Sequence, residues 1–506
     1  MSDDSHIEKL FFKVFRNCFL RKIIFSHVSI FQKNREIRFE SLKELRDFKF
    51  RDYIESLRLN CNEILKKGDI PESGFLKKII FSSLLNVPKN FQTQHYYLYD
   101  DGSSTRTISK TTIDYSIIPQ SVQHMEIRFP ISLYPDDINI SKIPTFFNSI
   151  VNIGITERDV NALYGHLLRF PSLIKISIRC GYNIQLTPQL FQKFSTTLTS
   201  LDLGREWQNN DTPIQLGDLD YLVNLKTLKI SSYGRELFEN VLPPKLEKLT
   251  ICEYLSDVEI CNKTMWVLPK TIKNLTITDS RFPPLLTFGR NMKLYKGLLP
   301  NGITHLQLLA KKMTILPFAI PDTVEYLLID KILTHYPILS NYQLPKSLKK
   351  LDIVPSTSKF IIEQNALSDL NQLLSFSVLS FYDTDFVPSC WNHKIDIGFF
   401  PQSITSIDFG QHFNQPLTKD HIGLFPNSLK ELTFGFYNHP IPIGLLPNQL
   451  KTLNFINGFN QIIEIGSLPS SLTFLNLSLS YKKSILPNAL PSSIIHLKPK
   501  NLNKYK

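Results

Sequence analysis

The sequence predicts an α+β repeat protein: a solenoid of short parallel strands preceded by a small helical N-terminal module. Three observations carry that prediction. Pro401, Pro426, Pro447, Pro469 and Pro491 are spaced 25, 21, 22 and 22 residues apart, the length of one short coil of a solenoid. Behind these prolines runs a recurring frame, Leu-Pro-x-x-Leu-x-x-Leu-x-Leu, whose last apolar pair alternates with polar residues as a half-buried strand does. The first 90 residues show a different pattern, with apolar side chains at three- and four-residue steps.

Composition bounds the problem. A chain of 506 residues with 42% hydrophobic and 20% charged residues is globular in composition and long enough for an extended array. Apolar runs such as Ile79 to Phe81 and Leu327 to Ile329 fall far short of the roughly 18 to 20 residues that a bilayer crossing needs, so no membrane span is expected. The opening MSDDSHIEKLFFKVFRN lacks a secretion signal's apolar region, because Lys13 and Arg16 interrupt it, and a cytoplasmic or nuclear location follows. Cys18, Cys61, Cys180, Cys252, Cys261 and Cys390 show neither paired spacing nor a nearby histidine, which points to reduced thiols and no metal. The net charge of +12 is dispersed: residues 1–115 hold 20 Lys or Arg against 15 Asp or Glu, and the remainder 37 against 30. Dispersed charge of this kind is a solvated surface rather than a nucleic-acid footprint.

In chain order, Ile7, Leu10, Phe11, Val14, Phe15 and Cys18 predict one amphipathic helix, and Ile54, Leu57, Cys61, Ile64 and Leu65 a second. Leu76, Ile79, Ile80 and Leu84 predict a third, ended by Pro88, with Gly68 to Gly74 as a connecting turn. Residues 1–90 are thus expected to be helical, 91–115 a loop or capping segment, 116–498 the solenoid and 499–506 a basic tail. The frame has clear copies at Pro243, Pro269, Pro300, Pro321, Pro345, Pro401, Pro426, Pro447 and Pro469. Degenerate copies lie at Pro119, Pro171, TTLTSLDL, LVNLKTLKI and LNQLLSFSV, and the 31 residues from Pro269 to Pro300 imply a loop insertion.

One copy, FPNSLKELTFGFYN, shows the physics. Pro426 has no N–H and a fixed φ, so it opens the turn and stays out of the ladder. Leu432 and Phe434 then point inward between Glu431, Thr433 and Gly435, and Leu429 joins them from the approach. After the strands, Asn414, Asn438 and Asn460 recur four or five residues beyond Phe409, Phe434 and Phe455, where an amide can satisfy backbone groups of its own and the adjacent coil.

Phe413 to Leu417 (FNQPL), Asn438 to Ile441 (NHPI) and the Pro-x-Ser-Leu-x-x-Leu-x-Phe frame resemble the FNIP repeat family, a leucine-rich-repeat relative. The likeness is specific over 398–497, fair over 240–355 and weak before that. It implies a leucine-rich-repeat-like solenoid used for protein contacts, sometimes beside a kinase or F-box-like module, and no chemistry of its own. Helices ahead of such a solenoid also resemble the layout of F-box proteins, which implies an adaptor-docking module and a ubiquitin-ligase substrate receptor. Residues 1–90 carry neither that family's Leu-Pro opening nor its Trp-containing helix. The alternative is that these helices cap the apolar end of the stack.

The residue between the two inward strand positions should stand at the centre of the open sheet face. That column reads Glu126, Ser177, Asp202, Lys229, Thr250, Thr276, Gln307, Leu328, Asp352, Ser377, Asp408, Thr433, Asn454 and Asn476. It holds one Lys against four acidic residues and no aromatic ring, unlike a nucleic-acid groove. A protein partner is the expectation, with Tyr326, Lys350, Glu431 and Phe474 flanking the column as contact residues. No nucleotide-binding glycine motif, GxSxG or HExxH stretch occurs, and the nearest polar cluster, His412, Asp420 and His421, falls between two coils. A noncatalytic protein-interaction scaffold without cofactor is therefore expected.

Overall fold

The computed structural model describes residues 36–49, 51–60, 65–72, 76–82, 118–130, 152–157, 167, 170–180, 191–203, 219–231, 242–253, 267–279, 292–309, 313–330, 338–355, 361–379 and 391–499. The chain divides into two units, residues 1–209 and 210–506. In the first, parallel strands pair in chain order: β1 (Ile37–Phe39), β2 (Ser56–Leu59), β3 (Lys78–Phe81), β4 (His124–Pro130), β5 (Asn152–Glu157), β6 (Lys175–Cys180) and β7 (Ser200–Asp202).

The helical module expected over the first 90 residues is replaced by strands wherever its elements are described. Leu57 pairs with Ile79 and Leu59 with Phe81 in the β2–β3 ladder. The helix α1 (Leu42–Asp47) has six residues, with the Ser41 hydroxyl accepting the Glu44 N–H at 3.1 Å as its cap. The expected helix at Ile7 to Cys18 lies outside the described residues. The error has a physical source. Ile54–Leu57–Leu59 and Leu76–Ile79–Phe81 step by three and then by two, and all six side chains are buried to 1% exposure or less. A three-residue step is shared by a helix face and by this solenoid's approach to its strand; only the following step of two separates them. Gly68, three residues before Pro71, has φ 87°, the conformation of Gly423 (96°) before Pro426 and Gly444 (86°) before Pro447. The presumed connecting turn is therefore the entry to another coil.

In the second unit the strands are β8 (Thr227–Ser231), β9 (Lys248–Glu253), β10 (Asn274–Asp279), β11 (Met292–Leu294), β12 (His305–Leu309), β13 (Met313–Ile315), β14 (Tyr326–Asp330), β15 (Ile338–Leu339), β16 (Lys350–Val354), β17 (Ile361–Ile362), β18 (Ser375–Val378), β19 (Ser406–Asp408), β20 (Glu431–Phe434), β21 (Thr452–Phe455), β22 (Phe474–Leu477) and β23 (His496–Lys498). β11 pairs with β13 and β15 with β17 in two small separate sheets. All others form parallel ladders with their neighbours in the frame.

Each coil is built alike. The carbonyl of Pro426 accepts the Leu429 N–H at 3.0 Å, so Pro-x-x-Leu is one β-turn, repeated at Pro401, Pro447 and Pro469 (3.2, 3.2 and 3.1 Å). Inside the turn, Ser428 donates its hydroxyl to the Ile404 carbonyl of the preceding coil at 2.6 Å, and Ser403, Ser471 and Ser493 do the same to Leu373, Leu450 and Leu472 at 2.6 to 2.7 Å. Leu429, Leu432 and Phe434 then fill the core at 0, 0 and 2% exposure. Each such side chain contributes about 1.5 to 3 kcal/mol of transfer free energy.

Two further ladders run through residues 391–482. The amide oxygen of Asn392 accepts the Asn414 N–H at 2.8 Å, Asn414 that of Asn438 at 2.9 Å, Asn438 that of Asn460 at 3.0 Å and Asn460 that of Lys482 at 2.9 Å. Gln415 and Gln461 donate to the main-chain carbonyls of Asn392 and Asn438, and His439 Nε2 lies 2.8 Å from that of Asn414. Beneath this ladder, rings stack within coils (Phe409–Phe413 4.3 Å, Phe434–Tyr437 4.6 Å, Phe455–Phe459 4.0 Å) and between them (Phe409–Phe434 5.1 Å, Phe434–Phe455 5.6 Å). Trp391 and Tyr481 extend the row at 5.8 Å from Phe413 and 6.0 Å from Phe459.

Candidate functional site: the polar face of the sheet

Parallel pairing sets the site. In the second unit, Lys229, Thr250, Thr276, Gln307, Leu328, Asp352, Ser377, Asp408, Thr433, Asn454 and Asn476 are register partners from strand to strand, and Lys498 continues them. In the first unit, Glu126, Gly154, Ser177 and Asp202 form the corresponding column. Beside the column of the second unit runs a parallel one, in which Tyr326, Lys350, Ser375, Ser406, Glu431, Thr452 and Phe474 are partners. The structure thus gathers the candidate residues into neighbouring groups: Tyr326 with Lys350 and Asp352, Asp408 with Glu431 and Thr433, and Asn454 with Phe474 and Asn476.

The groups differ electrostatically. Asp352 is on the column but only 3% exposed. Its Oδ2 accepts the Tyr326 hydroxyl at 3.0 Å and lies 3.0 Å from Lys350 Nζ, which sits 5.2 Å from the Tyr326 ring centroid. Burial, and then the Asp352 charge, push the Tyr326 hydroxyl pKa up to about 12. Asp408 is raised above the ordinary carboxylate value chiefly by burial and further by the charge of Asp352, against the lowering effect of the Gly410 N–H on its Oδ1 at 2.9 Å. Farther along, Asn454 donates to the Thr433 hydroxyl at 3.3 Å, and Lys498 lies 5.7 Å from the Phe474 ring centroid. Glu431 is exposed, with the Ser406 hydroxyl 3.4 Å from its Oε2.

Sequence reasoning placed these residues but missed two things. It treated Asp352 as open, because a side chain's cover by its own neighbours leaves no mark in a strand pattern. It also passed over Ser375 and Ser406, small residues in the row beside the column. The cluster of His412, Asp420 and His421 is no shared site: His421 Nδ1 accepts the Thr418 N–H at 3.0 Å, and the Thr418 hydroxyl donates to Asp420 at 3.2 Å, closing a surface turn. Among the described residues no group of three His, Cys, Asp or Glu side chains could hold a metal ion, and no helix is long and apolar enough to cross a membrane.

Known proteins match this architecture. The circular leucine-rich-repeat protein CroV588 superposes with a TM-score of 0.53 at 22% identity, covering 90% of this chain and 60% of that one, a likeness of fold. The FNIP Repeat family model matches residues 391–437, 421–458, 437–480 and 459–498. An FNIP repeat-containing protein of Dictyostelium discoideum is 26% identical over 261 residues, 48% of this chain and 65% of that protein. A second from the same organism is 31% identical over 88 residues, 17% of this chain and 10% of that protein. The chain therefore spans under two thirds of either relative. The coils of residues 391–498 match the FNIP repeat, and the chain, a leucine-rich-repeat-like solenoid of parallel strands, is similar to the FNIP repeat-containing proteins.

Proposed function

We propose that the protein is a noncatalytic scaffold that binds a protein partner on the polar face of the parallel sheet, with no nucleic acid and no cofactor involved. The observation that supports this most is the unbroken register of mixed side chains along β14 to β22, which sets Tyr326, Lys350, Glu431, Thr433, Asn454, Phe474 and Asn476 on one surface. Amides, hydroxyls, charges and isolated rings side by side are what a protein interface presents, with aromatic and charged groups as anchors. Six cysteines without paired spacing support a cytoplasmic location. The adaptor-docking alternative rested on N-terminal helices; where residues 54–81 are described, they supply strands instead.

The test is affinity capture with the full chain against a variant carrying Glu431→Ala, Asn454→Ala, Phe474→Ala and Asn476→Ala, all on the face and none filling the core. Partners identified with the parent chain should be lost with the variant and kept by Lys349→Ala, which changes a coil edge. An identical partner set from all three proteins would end this reading.

A further inference from the structure

Between β16 and β20 the face changes in relief and charge. β18 presents only Ser375 and Ser377 there, and β19 adds Ser406 beside Asp408. Asp352 and Asp408 share a column with Ser377 between them, about 10 Å apart at Cα by two strand spacings. By side-chain size the serines leave a notch in the two columns, between Asp352 on one side and Asp408 and Glu431 on the other. Three carboxylates and the ammonium of Lys350 border it, with Lys349 and Lys430 one residue farther out, just before their strands. Asp352 is 3% exposed, and while its Oδ2 holds both Tyr326 and Lys350, its Oδ1 is enclosed without a hydrogen-bond partner among the described residues. An enclosed carboxylate oxygen without a donor is costly, and a donor brought from outside recovers that cost. The Asp352 charge, beside burial, disfavours ionised Asp408, and a cation placed between the two carboxylates offsets that repulsion.

We propose that this notch receives an arginine side chain from a basic segment of a partner protein, its guanidinium reaching Asp408, the unpartnered oxygen of Asp352 and the serine hydroxyls between them. The planar fork carries five donors in fixed directions and can serve two carboxylates and a hydroxyl together, whereas a lysine ammonium is a point charge. Lys350, whose side chain is 49% exposed, is the group that yields its place on Asp352. This rests on the protein-binding reading and names the chemistry of the partner.

The experiment titrates the full chain into a fluorescently labelled dodecapeptide of alternating Arg and Ser, with Lys/Ser and citrulline/Ser peptides in parallel. Saturable binding of the arginine peptide is expected, weaker binding of the lysine peptide and none of the citrulline peptide. Asp408→Asn should weaken the arginine peptide about tenfold, the order expected from one charge-assisted pair. Lys350→Met, which removes the competing ammonium, should tighten it, and Asp420→Asn in the surface turn should leave it unchanged. An arginine peptide that binds no better than citrulline overturns the proposal, as does an equal loss from Asp420→Asn and Asp408→Asn. Calcium binding abolished by Asp408→Asn, with no peptide competition, would assign the notch to a metal and overturn it too. If the peptide fails while the four-residue face variant still loses its captured partner, the scaffold reading stands and only the arginine is wrong.

Discussion

Residues 391–498 and residues 227–354 run the same frame with different fastenings. In the first stretch, coils are joined by strand pairing, serine hydroxyls, an asparagine ladder and a stacked row of rings. In the second, the strands pair just as regularly and Thr271, Thr323 and Ser347 donate to the preceding coil at 2.7 to 2.9 Å, but the inward positions are aliphatic, as at Leu249, Ile251, Leu306 and Leu308. Proline spacing follows suit: 25, 21, 22 and 22 residues in the first stretch against 26, 31, 21 and 24 from Pro243 to Pro345. The lesson is geometric. An amide can cap the next coil's N–H because the run from proline to asparagine is nearly constant, 13, 12 and 13 residues to Asn414, Asn438 and Asn460, while the extra length falls after the ladder, with 12 residues from Asn414 to Pro426 against 9 from Asn438 to Pro447. Hydroxyls within the Pro-x-x-Leu turn sit before any insertion and tolerate variable length.

That contrast can be broken experimentally. The largest effect should come from Phe434→Ala, which removes a ring touching Phe409, Tyr437 and Phe455 and should cost about 3–5 kcal/mol in denaturant unfolding. Ile329→Val in the aliphatic stretch should cost only about 0.5–1.5 kcal/mol; equal losses would dissolve the distinction. Gly435→Ala comes next, because its Cβ would stand 2.3 Å from Gln411 Cα and from the Gly410 carbonyl oxygen, both main chain. A melting point lowered by overpacking of about 1–3 kcal/mol is expected. Asn438→Ala deprives the Asn460 N–H of its acceptor and should cost about 1–3 kcal/mol, with amide exchange at Asn460 as the local readout. Ser428→Ala and Ser347→Ala should cost about 1 kcal/mol each and alike, since this fastening is common to both stretches.

The smallest effect is a pH dependence. Asp408 has a raised pKa, so the folded state favours its protonated form. The stability this brings is present below the ordinary value of 3.8 and is lost as pH rises through the raised folded value. Asp408→Asn should therefore melt slightly above the parent chain at pH 7, with the gap closing below pH 3.8, and a gap independent of pH would refute the burial assigned to this carboxylate.

Much of this was legible in the sequence. Every residue assigned to the central column from Lys229 to Asn476 falls in one register, because a period of two has only two phases and the apolar residues choose between them. The frame before Pro119 was not recognised, since Ile54, Leu57 and Leu76, Ile79 mimic a helical step and no proline stands three residues before Ile54 or Leu76. The short pairs β11–β13 and β15–β17 have two or three residues per strand, too few for periodicity to register. Asp352 illustrates the limit at the site: its column was readable, whereas its cover by Tyr326 and Lys350 depends on side chains from two strands meeting in space.

The asparagine ladder also bears on how such arrays change in length. Each amide from Asn392 to Asn460 looks only to the coil after it, so a whole unit of about 22 residues duplicated or excised there would leave every donor with an acceptor, and copy number could drift by unequal recombination at little energetic penalty. The longer step from Asn414 to Asn438, 24 residues against 22 at the other rungs, shows that extra residues are also taken up without breaking the ladder, so variation in this part of the gene is expected as whole coils or as small changes between an asparagine and the next proline.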